Sequence, residues 1–251
     1  MSILVINAGS TSLKFGLFDG EARETLVSGT IDWADGNRQR AQFLLRRGSH
    51  EKRSVVAVPD DPAAATCAVQ ALAAEGDITV VGHRVVNGGS EIRDSVLIDD
   101  KLKGTIARLA KLAPLHNPPA LAAIGAIEAV LPRVPQVAVF DTAFFARLPA
   151  RAYMYGVPYE WYKKHGVRRI GFHGISNSYC AGRAVELLGR NPDELRLVTC
   201  HLGGGCSATA VRGGVPVATT MGLTPLEGLM MGTRSGSVDP GILIHLLRHG
   251  G

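Results

Sequence analysis

Five short segments of this sequence carry residue types that handle phosphate and carboxylate oxygens. The first, NAGSTSLK, brings Asn7, Ser10, Ser12 and Lys14 into one turn and the strand after it. Backbone N–H groups of a Gly/Ser turn cradle anions, and Ser12 and Lys14 share strand parity, so their side chains leave the same face. A plain polar hairpin would read the same way. GHRVVNGGS puts Arg84 just past the end of an expected buried strand, where α/β sheets place ligands. Its fork of donors suits a carboxylate or phosphate, and a surface ion pair is the other reading. Asp141 follows QVAVF in the same way and suits Mg2+ or a helix N-cap. RRIGFHGISNSY sets His173 between Phe172 and Gly174, just before a helix whose N-terminus attracts anions; a satisfied core histidine fits equally. TPLEGLMMGTRSGSVDPG holds Arg234 between Thr233 and Ser235 in a long loop of the kind that usually carries function. Together they suit phosphoryl transfer, which needs cradles, cations, a bridging metal and rigid alignment more than covalent help.

The elements that must position these residues follow from periodicity. SILVI, SLKFGLFDG and ETLVSGTID read as three consecutive antiparallel strands, which AQFLLRR and KRSVVAV extend. DPAAATCAVQALAAEG reads as a helix, with Asp61 and Pro62 at its cap and first turn and Gly76 at its end. ITVVG and QVAVFD are buried strands, and LKGTIARLAKLA and PPALAAIGAIEAVL are helices between them. Strands alternating with helices imply an α/β layer architecture. TAFFARLPARAYMYGVPYEWYKKHG has no clean period and places a domain boundary near residue 145. A helix over 177–189, three strands (LRLVTC, CSATAVRGG, VPVATTM) and a last helix opening at Asp239 and Pro240 complete the second part.

Composition narrows the function class. The 251 residues are 46% hydrophobic and 20% charged, as in an ordinary globular protein, with no basic leader and no apolar run of about eighteen residues, so a cytoplasmic location is expected. Cys67, Cys180, Cys200 and Cys206 form neither a CxxC pair nor a zinc-like spacing and read as free, partly buried thiols. The net charge of +5 owes much to Arg38, Arg40, Arg46, Arg47, Lys52 and Arg53 around one hairpin. That cluster lacks the interleaved aromatics of a nucleic-acid platform and reads as a solvated strand face.

A near repeat organises the whole. ILVINAGSTSLKFGLFDG and LVTCHLGGGCSATAVRGG share one pattern of strand, Gly-rich turn, strand and Gly-marked hairpin, with Gly9 and Gly20 as far apart as Gly203 and Gly214. Two such units suggest duplicated domains, each offering a loop of backbone N–H groups to phosphate.

These segments, in this order from residue 3 to residue 241, resemble the acetate kinase family of the acetate and sugar kinase, Hsp70 and actin superfamily. The resemblance rests on VINAGSTSLKF, GHRVVNGG, LAPLHNPPAL, VAVFDTAFF, YGVPYEWY, RRIGFHGISNSY, HLGGGCSATAV and TMGLTPLEGLMMGTRSGSVDPG. It implies an α/β fold of duplicated actin-like (ribonuclease H-like) domains facing a central cleft, with residues 1–145 as the first domain and 146–251 as an incomplete second one. The implied activity is reversible, Mg2+-dependent transfer of the γ-phosphoryl group of ATP to acetate, giving acetyl phosphate and ADP, in a homodimer. A propionate or butyrate kinase, or a non-catalytic phosphate-binding remnant, are the alternatives.

By the same resemblance, Arg84 and Arg234 would hold the carboxylate and the transferring phosphoryl group, and His173 would stabilise the equatorial oxygens of that group. Asn7 and Asp141 would serve the metal, with Asn7 also orienting phosphate beside Ser10, Ser12 and Lys14. Val86, Leu115, Phe172 and Pro225 would form the methyl pocket, with His116 beside it. His201, Gly203, Gly204 and Gly205 would form the second phosphate loop. Two positions depart from the family pattern: Gly204 stands where Asn is usual, and Phe145 where many relatives carry His. The resemblance also implies a further glycine-rich adenosine segment, an acidic residue near the metal and a closing helix, none of which these 251 residues contain. Weak ATP affinity, aggregation and no turnover are therefore expected of this stretch alone.

Overall fold

Strand β1 (Ser2–Ala8) buries Leu4, Ile6 and Ala8 and turns Ile3, Val5 and Asn7 to the other face, the alternation of a strand covered on one side. The computed structural model describes residues 1–72 and 74–249. They divide into two compact units, one made of Met1–Gly88 and Asp94–Phe140, the other of Gly89–Arg93 and the chain from Asp141 onward.

In the first unit, β2 (Ser12–Asp19), β3 (Thr25–Asp32), β4 (Ala41–Arg47) and β5 (His50–Val56) continue from β1 as an antiparallel meander. Helix α1 (Asp61–Ala71) then carries the chain to β6 (Ile78–Val85), which pairs parallel to β1. The two-residue strand β7 (Val96–Leu97), α2 (Asp100–Leu109) and α3 (Asn117–Val130) precede β8 (Gln136–Phe140). The sheet order is β5-β4-β3-β2-β1-β6-β8-β7. Leu4, Ile6, Leu13, Phe15 and Leu17 from the sheet bury against Ala64, Ala65, Ala68, Ala123 and Ile127 of α1 and α3. Small alanines let the helices close on the sheet, while the large apolar side chains come from the strands.

Three details correct the sequence reading. The side chain that caps α1 is Asp60, accepting from the Ala63 amide at 2.8 Å; Asp61 is the first helical residue and pairs with Arg38 at 2.7 Å. Arg84 lies within β6, opposite Val139 of β8, because the strand runs three residues beyond Gly82. Cys180 and Cys200 are exposed rather than partly buried. The basic hairpin is paired in part: Arg46 and Arg53 both reach Glu51, and Arg47 reaches Glu75.

The second unit carries a three-stranded antiparallel sheet in the order β11-β10-β9, from β9 (Arg196–Leu202), β10 (Cys206–Arg212) and β11 (Val215–Thr219). Where no periodicity was legible, two short helices form, α4 (Ala150–Tyr153) and α5 (Tyr159–His165); Gly166, at φ 64°, ends α5. Helix α6 (Gly174–Leu188) begins three residues before the expected start and packs on β9. Residues 220–239 hold no helix or strand, and α7 (Pro240–His249) follows. No helix among the described residues is long and apolar enough to cross a membrane.

The near repeat is a repeat of structure. β1 and β2 pair as Asn7↔Lys14 and Ala8↔Leu13, and β9 and β10 pair as His201↔Ser207 and Leu202↔Cys206. The second turn is one residue shorter. In the first turn, the Gly9 amide donates to the Ser12 carbonyl at 2.8 Å, while Trp33 donates its indole N–H to the Ser10 carbonyl and its amide to the Thr11 carbonyl. The turn is thus held by a buried aromatic from the end of β3.

His83, on β6, is a buried titratable group whose Nε2–H donates to the Gln136 amide oxygen at 2.7 Å, while Nδ1 has no partner among the described residues. Burial pushes its pKa down to about 4. The unfolded chain then binds a proton below pH about 6.5 that the folded chain refuses until about 4. Stability is fully present above that window and falls as pH drops through it, by on the order of 3 kcal/mol. Denaturant titrations at pH 7 and pH 4.5 check this, and His83→Gln is expected to flatten the difference.

Candidate active site

The expected residues fall into two groups, one in each unit. In the first, Arg84 donates from Nη1 to the Asn7 carboxamide oxygen at 2.9 Å, joining the β1 and β6 positions that the sequence singled out separately. Lys14 is exposed across the β1–β2 pair from Asn7, and Ser12 opens β2. Ser10 is exposed in the turn. The chain after β6 is fixed by two buried asparagines: the Asn87 amide donates to Asn117 Oδ1 at 3.1 Å, and Asn117 Nδ2 donates to the Asn87 carbonyl at 2.9 Å. This reciprocal pair sets Val86, which is 7% exposed, and it anchors the start of α3, where His116 occupies the cap position. Leu115, beside it, is 67% exposed.

In the second unit the geometry is tighter. His173 caps α6 with a left-handed backbone, φ 61° and ψ 28°, a conformation costly for a residue with a Cβ. The conformation is held from several sides. The Gly174 amide donates to the Asp141 carbonyl at 2.8 Å, and a Cβ on Gly174 would overlap that oxygen. Asn177 donates both its amide and its side-chain Nδ2 to the His173 carbonyl, and its Oδ1 accepts from Thr199 at 2.7 Å. Gly171, at φ 77°, lies so close to Phe145 that a Cβ would meet the ring at 2.6 Å. Phe145 is fully buried and packs as core beneath that glycine.

The His173 ring shares Nδ1 with Ser207 Oγ at 2.9 Å and stacks on His201 at 4.0 Å between centroids. His201 in turn pairs its Nδ1 with Ser176 Oγ at 3.0 Å. Both rings therefore have fixed orientations. Arg234 donates from Nη1 to the Pro225 carbonyl at 2.7 Å and from Nη2 to the Gly204 carbonyl at 3.2 Å. A Cβ on Gly205 would meet both Arg234 Nη2 and His173 Nε2 at 3.0 Å, so this glycine lets the two cationic or polar groups converge. Gly204 faces open space, with nothing within 4 Å of a Cβ. Gly203 closes the turn by donating to the Gly205 carbonyl at 3.0 Å. Phe172 is 2% exposed, Pro225 is half-buried, and Asp141 is buried.

Sequence reasoning missed Ser207, Ser176 and Asn177, which orient the two histidines. The hairpin register, which faces His201 with Ser207, was the available clue. It also missed Arg169, Tyr155 and Glu227, which no local pattern links.

A meander that passes into parallel strands, followed by a second unit that carries the same strand–turn–strand device, defines an α/β protein of duplicated actin-like units. The chain belongs to the acetokinase family, whose profile matches residues 2–251. It is 50% identical over 266 aligned residues to an acetate kinase of Gloeobacter violaceus, covering 99% of this chain and 65% of that protein. Among solved structures it is similar to an acetate kinase of Porphyromonas gingivalis (38% identity, TM-score 0.86), covering all of this chain and 64% of that one. A propionate kinase of Francisella tularensis is similar too (36% identity, TM-score 0.90), covering all of this chain and 65% of that one. The chain thus spans about 65% of the length of the relatives it matches.

The backbone at His173 generates a test free of any assumption about activity. His173→Gly and His173→Ala lose the same ring contacts, but only Ala must still occupy the left-handed region. His173→Gly is expected to be the more stable by about 1 kcal/mol in denaturant unfolding. Equal stabilities would contradict the left-handed cap.

Proposed function

We propose that this protein is an acetate kinase: it transfers the γ-phosphoryl group of ATP reversibly to a carboxylate oxygen of acetate, giving acetyl phosphate and ADP. The observation that carries this reading is the strained His173, whose ring is fixed by Ser207 and His201 and converges with Arg234 over Gly205. Strain of this kind persists where surrounding contacts over-determine it, and it clusters at functional sites.

In this reading Arg234 and Arg84 supply the cations that hold carboxylate and phosphoryl oxygens, and His173 donates to the equatorial oxygens as charge builds on them. Asn7 aligns Arg84, since its carboxamide oxygen accepts from that guanidinium. Gly203, Gly204, Gly205 and His201 form one phosphate turn, and Ser10, Ser12 and Lys14 the other. Val86, Leu115, Phe172 and Pro225 bound the acyl group, with His116 beside them.

Mg2+ fits the donors available. The described residues hold no cluster of three or more acidic, Cys or His side chains that would cage a metal. Mg2+ keeps several waters and binds through one or two carboxylates and substrate phosphates, which suits the buried carboxylate of Asp141. The Asn7 oxygen, with one lone pair given to Arg84, has a second for a metal-bound water. The ion would neutralise phosphate charge. A homodimer working in the cytoplasm completes the proposal.

The test is direct: this stretch carried in a chain of the relatives' full length, with ATP, acetate and Mg2+, is expected to form acetyl phosphate, trapped as the hydroxamate, whereas residues 1–251 alone are not. Acetyl phosphate binding without turnover would favour a non-catalytic role instead. In that full-length context Arg84→Ala, Arg234→Ala and His173→Ala are each expected to lower kcat by about 10²-fold or more, as loss of a preorganised donor does. For His173→Ala the fall in kcat should far exceed any rise in KM, and near-normal turnover in any variant would remove that residue from the mechanism.

The propionate kinase relative makes acyl length a second test. Each added methylene should cost roughly 1 to 3 kcal/mol in kcat/KM, so acetate should outcompete propionate and butyrate should be poor. Equal kcat/KM for acetate and butyrate would overturn the acetate assignment.

A further inference from the structure

Residues 220–239 carry Arg234 without a helix or strand to hold it, so something else must fix the loop. Its first turn is anchored by a three-residue polar network. Arg169 donates from Nη1 to the Thr220 and Met221 carbonyls, both at 3.0 Å, and from Nη2 to Glu227 Oε1 at 2.6 Å. Tyr155 donates its hydroxyl to Glu227 Oε2 and accepts from the Leu223 amide at 2.9 Å. The Gly222 carbonyl accepts from the Ile170 and Gly171 amides, and a Cβ on Gly222 would overlap both the Glu227 carboxylate and the Tyr155 hydroxyl. Both carboxylate oxygens of Glu227 are therefore used, one by a guanidinium and one by a phenol, in a space kept open by a missing side chain.

The network reaches Arg234 through the backbone. Leu223 and Glu227, each held by it, bracket Pro225, and the Pro225 carbonyl is the acceptor for Arg234 Nη1. Beyond Glu227, Gly228 exchanges bonds with Ser237, whose Oγ accepts from the Gly228 amide at 3.1 Å and whose amide donates to the Gly228 carbonyl at 2.9 Å. The Met231 amide donates to the Arg234 carbonyl at 2.9 Å. Arg234 is thus held at its guanidinium and at its backbone by a loop whose entry is fixed at one carboxylate.

We infer that Glu227, held by Arg169 and Tyr155, is a positioning residue for Arg234 and sets the geometry in which that guanidinium meets the transferring group. The inference rests on the acetate kinase reading for its kinetic consequence but not for its structural one. Glu227 touches no reacting atom; it acts through Pro225 and the loop. Misplacing a charge-stabilising group by about 1 Å costs on the order of 10²-fold in rate, so a loosened loop should be visible in turnover.

The variant to make is Glu227→Gln, which keeps the shape and one acceptor while removing the charge. Glu227→Ala would strand Arg169, which is one-fifth exposed, without its counter-ion and risks unfolding the unit. In Glu227→Gln, hydrogen exchange followed by mass spectrometry should quicken at the amides of Leu223, Gly228, Met231 and Ser237. The Asn177 amide, in α6, should keep its protection. Unchanged exchange in the loop would overturn the inference whether or not the protein phosphorylates acetate.

With activity in hand, Glu227→Gln should lower kcat by about tenfold or more. In an Arg234→Ala background the same change should lower it by less than about threefold, because a residue that works through Arg234 has nothing left to position. Multiplicative losses in the double variant would mean a general effect on folding and would also overturn it. Absence of turnover in the unsubstituted protein at the relatives' full length, with loop exchange quickened as expected, would count against the acetate kinase reading and leave the structural link standing.

Discussion

The second unit depends on two missing side chains, at Gly171 and Gly174, on either side of Phe172 and His173. Gly174 has no Cβ, so the first amide of α6 closes on the Asp141 carbonyl; Gly171 has none, so the fully buried Phe145 ring lies directly beneath the chain. Between them His173 is driven into the left-handed region. The same few residues therefore fix where Asp141 sits, where α6 begins and which way the histidine ring leaves the backbone. Packing the strain between a glycine contact, an asparagine clamp and a buried aromatic is what allows a non-glycine residue to remain there.

Polar groups around this turn are ordered mainly by carbonyls and hydroxyls. Ser207 and Ser176 orient the two stacked imidazoles, and backbone carbonyls of Pro225 and Gly204 orient Arg234. Neutral acceptors hold a guanidinium in place without neutralising it, so its charge stays available to an anion. In the first unit the Asn7 amide oxygen takes one arm of Arg84. Where full ion pairs occur, as between Arg169 and Glu227 or along the β4–β5 hairpin, they serve the scaffold. His83 lies buried on β6, a polar group whose burial makes the fold sensitive to acid.

Much of this fold was legible in the sequence because its strands and helices have clean periods. The five-strand meander, the alternation of β6, α2, α3 and β8, and the two matching hairpins all follow from patterns within a few residues. Errors of register came where propensity is silent. β6 continues through Gly82 to Val85 because parallel pairing with β8 extends that far, which moves Arg84 from a loop into a strand. α6 starts at Gly174 because its first amide finds Asp141, a partner no local pattern announces. The aromatic stretch after Asp141 folds as short helices whose tyrosines serve cations, Arg168 lying 3.9 Å over Tyr153, rather than as an amphipathic face with a period. Residue types at the candidate site were readable one by one, but their connections were not. Asn7 and Arg84 are 77 positions apart, Glu227 and Tyr155 are 72 apart, and only the folded chain joins them.

The absence of a Cβ at residue 174 sets the site. The measurement that tests it most directly is hydrogen exchange at the Asn177 amide in Gly174→Ala, together with turnover of the same variant. Alanine has ample helix propensity, so nothing intrinsic to α6 should object to it. The added carbon must instead displace the Asp141 carbonyl, so the Asn177 amide, which donates to the His173 carbonyl, should lose protection, and under the proposed acetate kinase activity acetyl phosphate formation at the relatives' full length should fall at least tenfold. Wild-type protection at Asn177 with wild-type turnover would show that neither the left-handed histidine nor the Asp141 contact is needed, and would contradict the account.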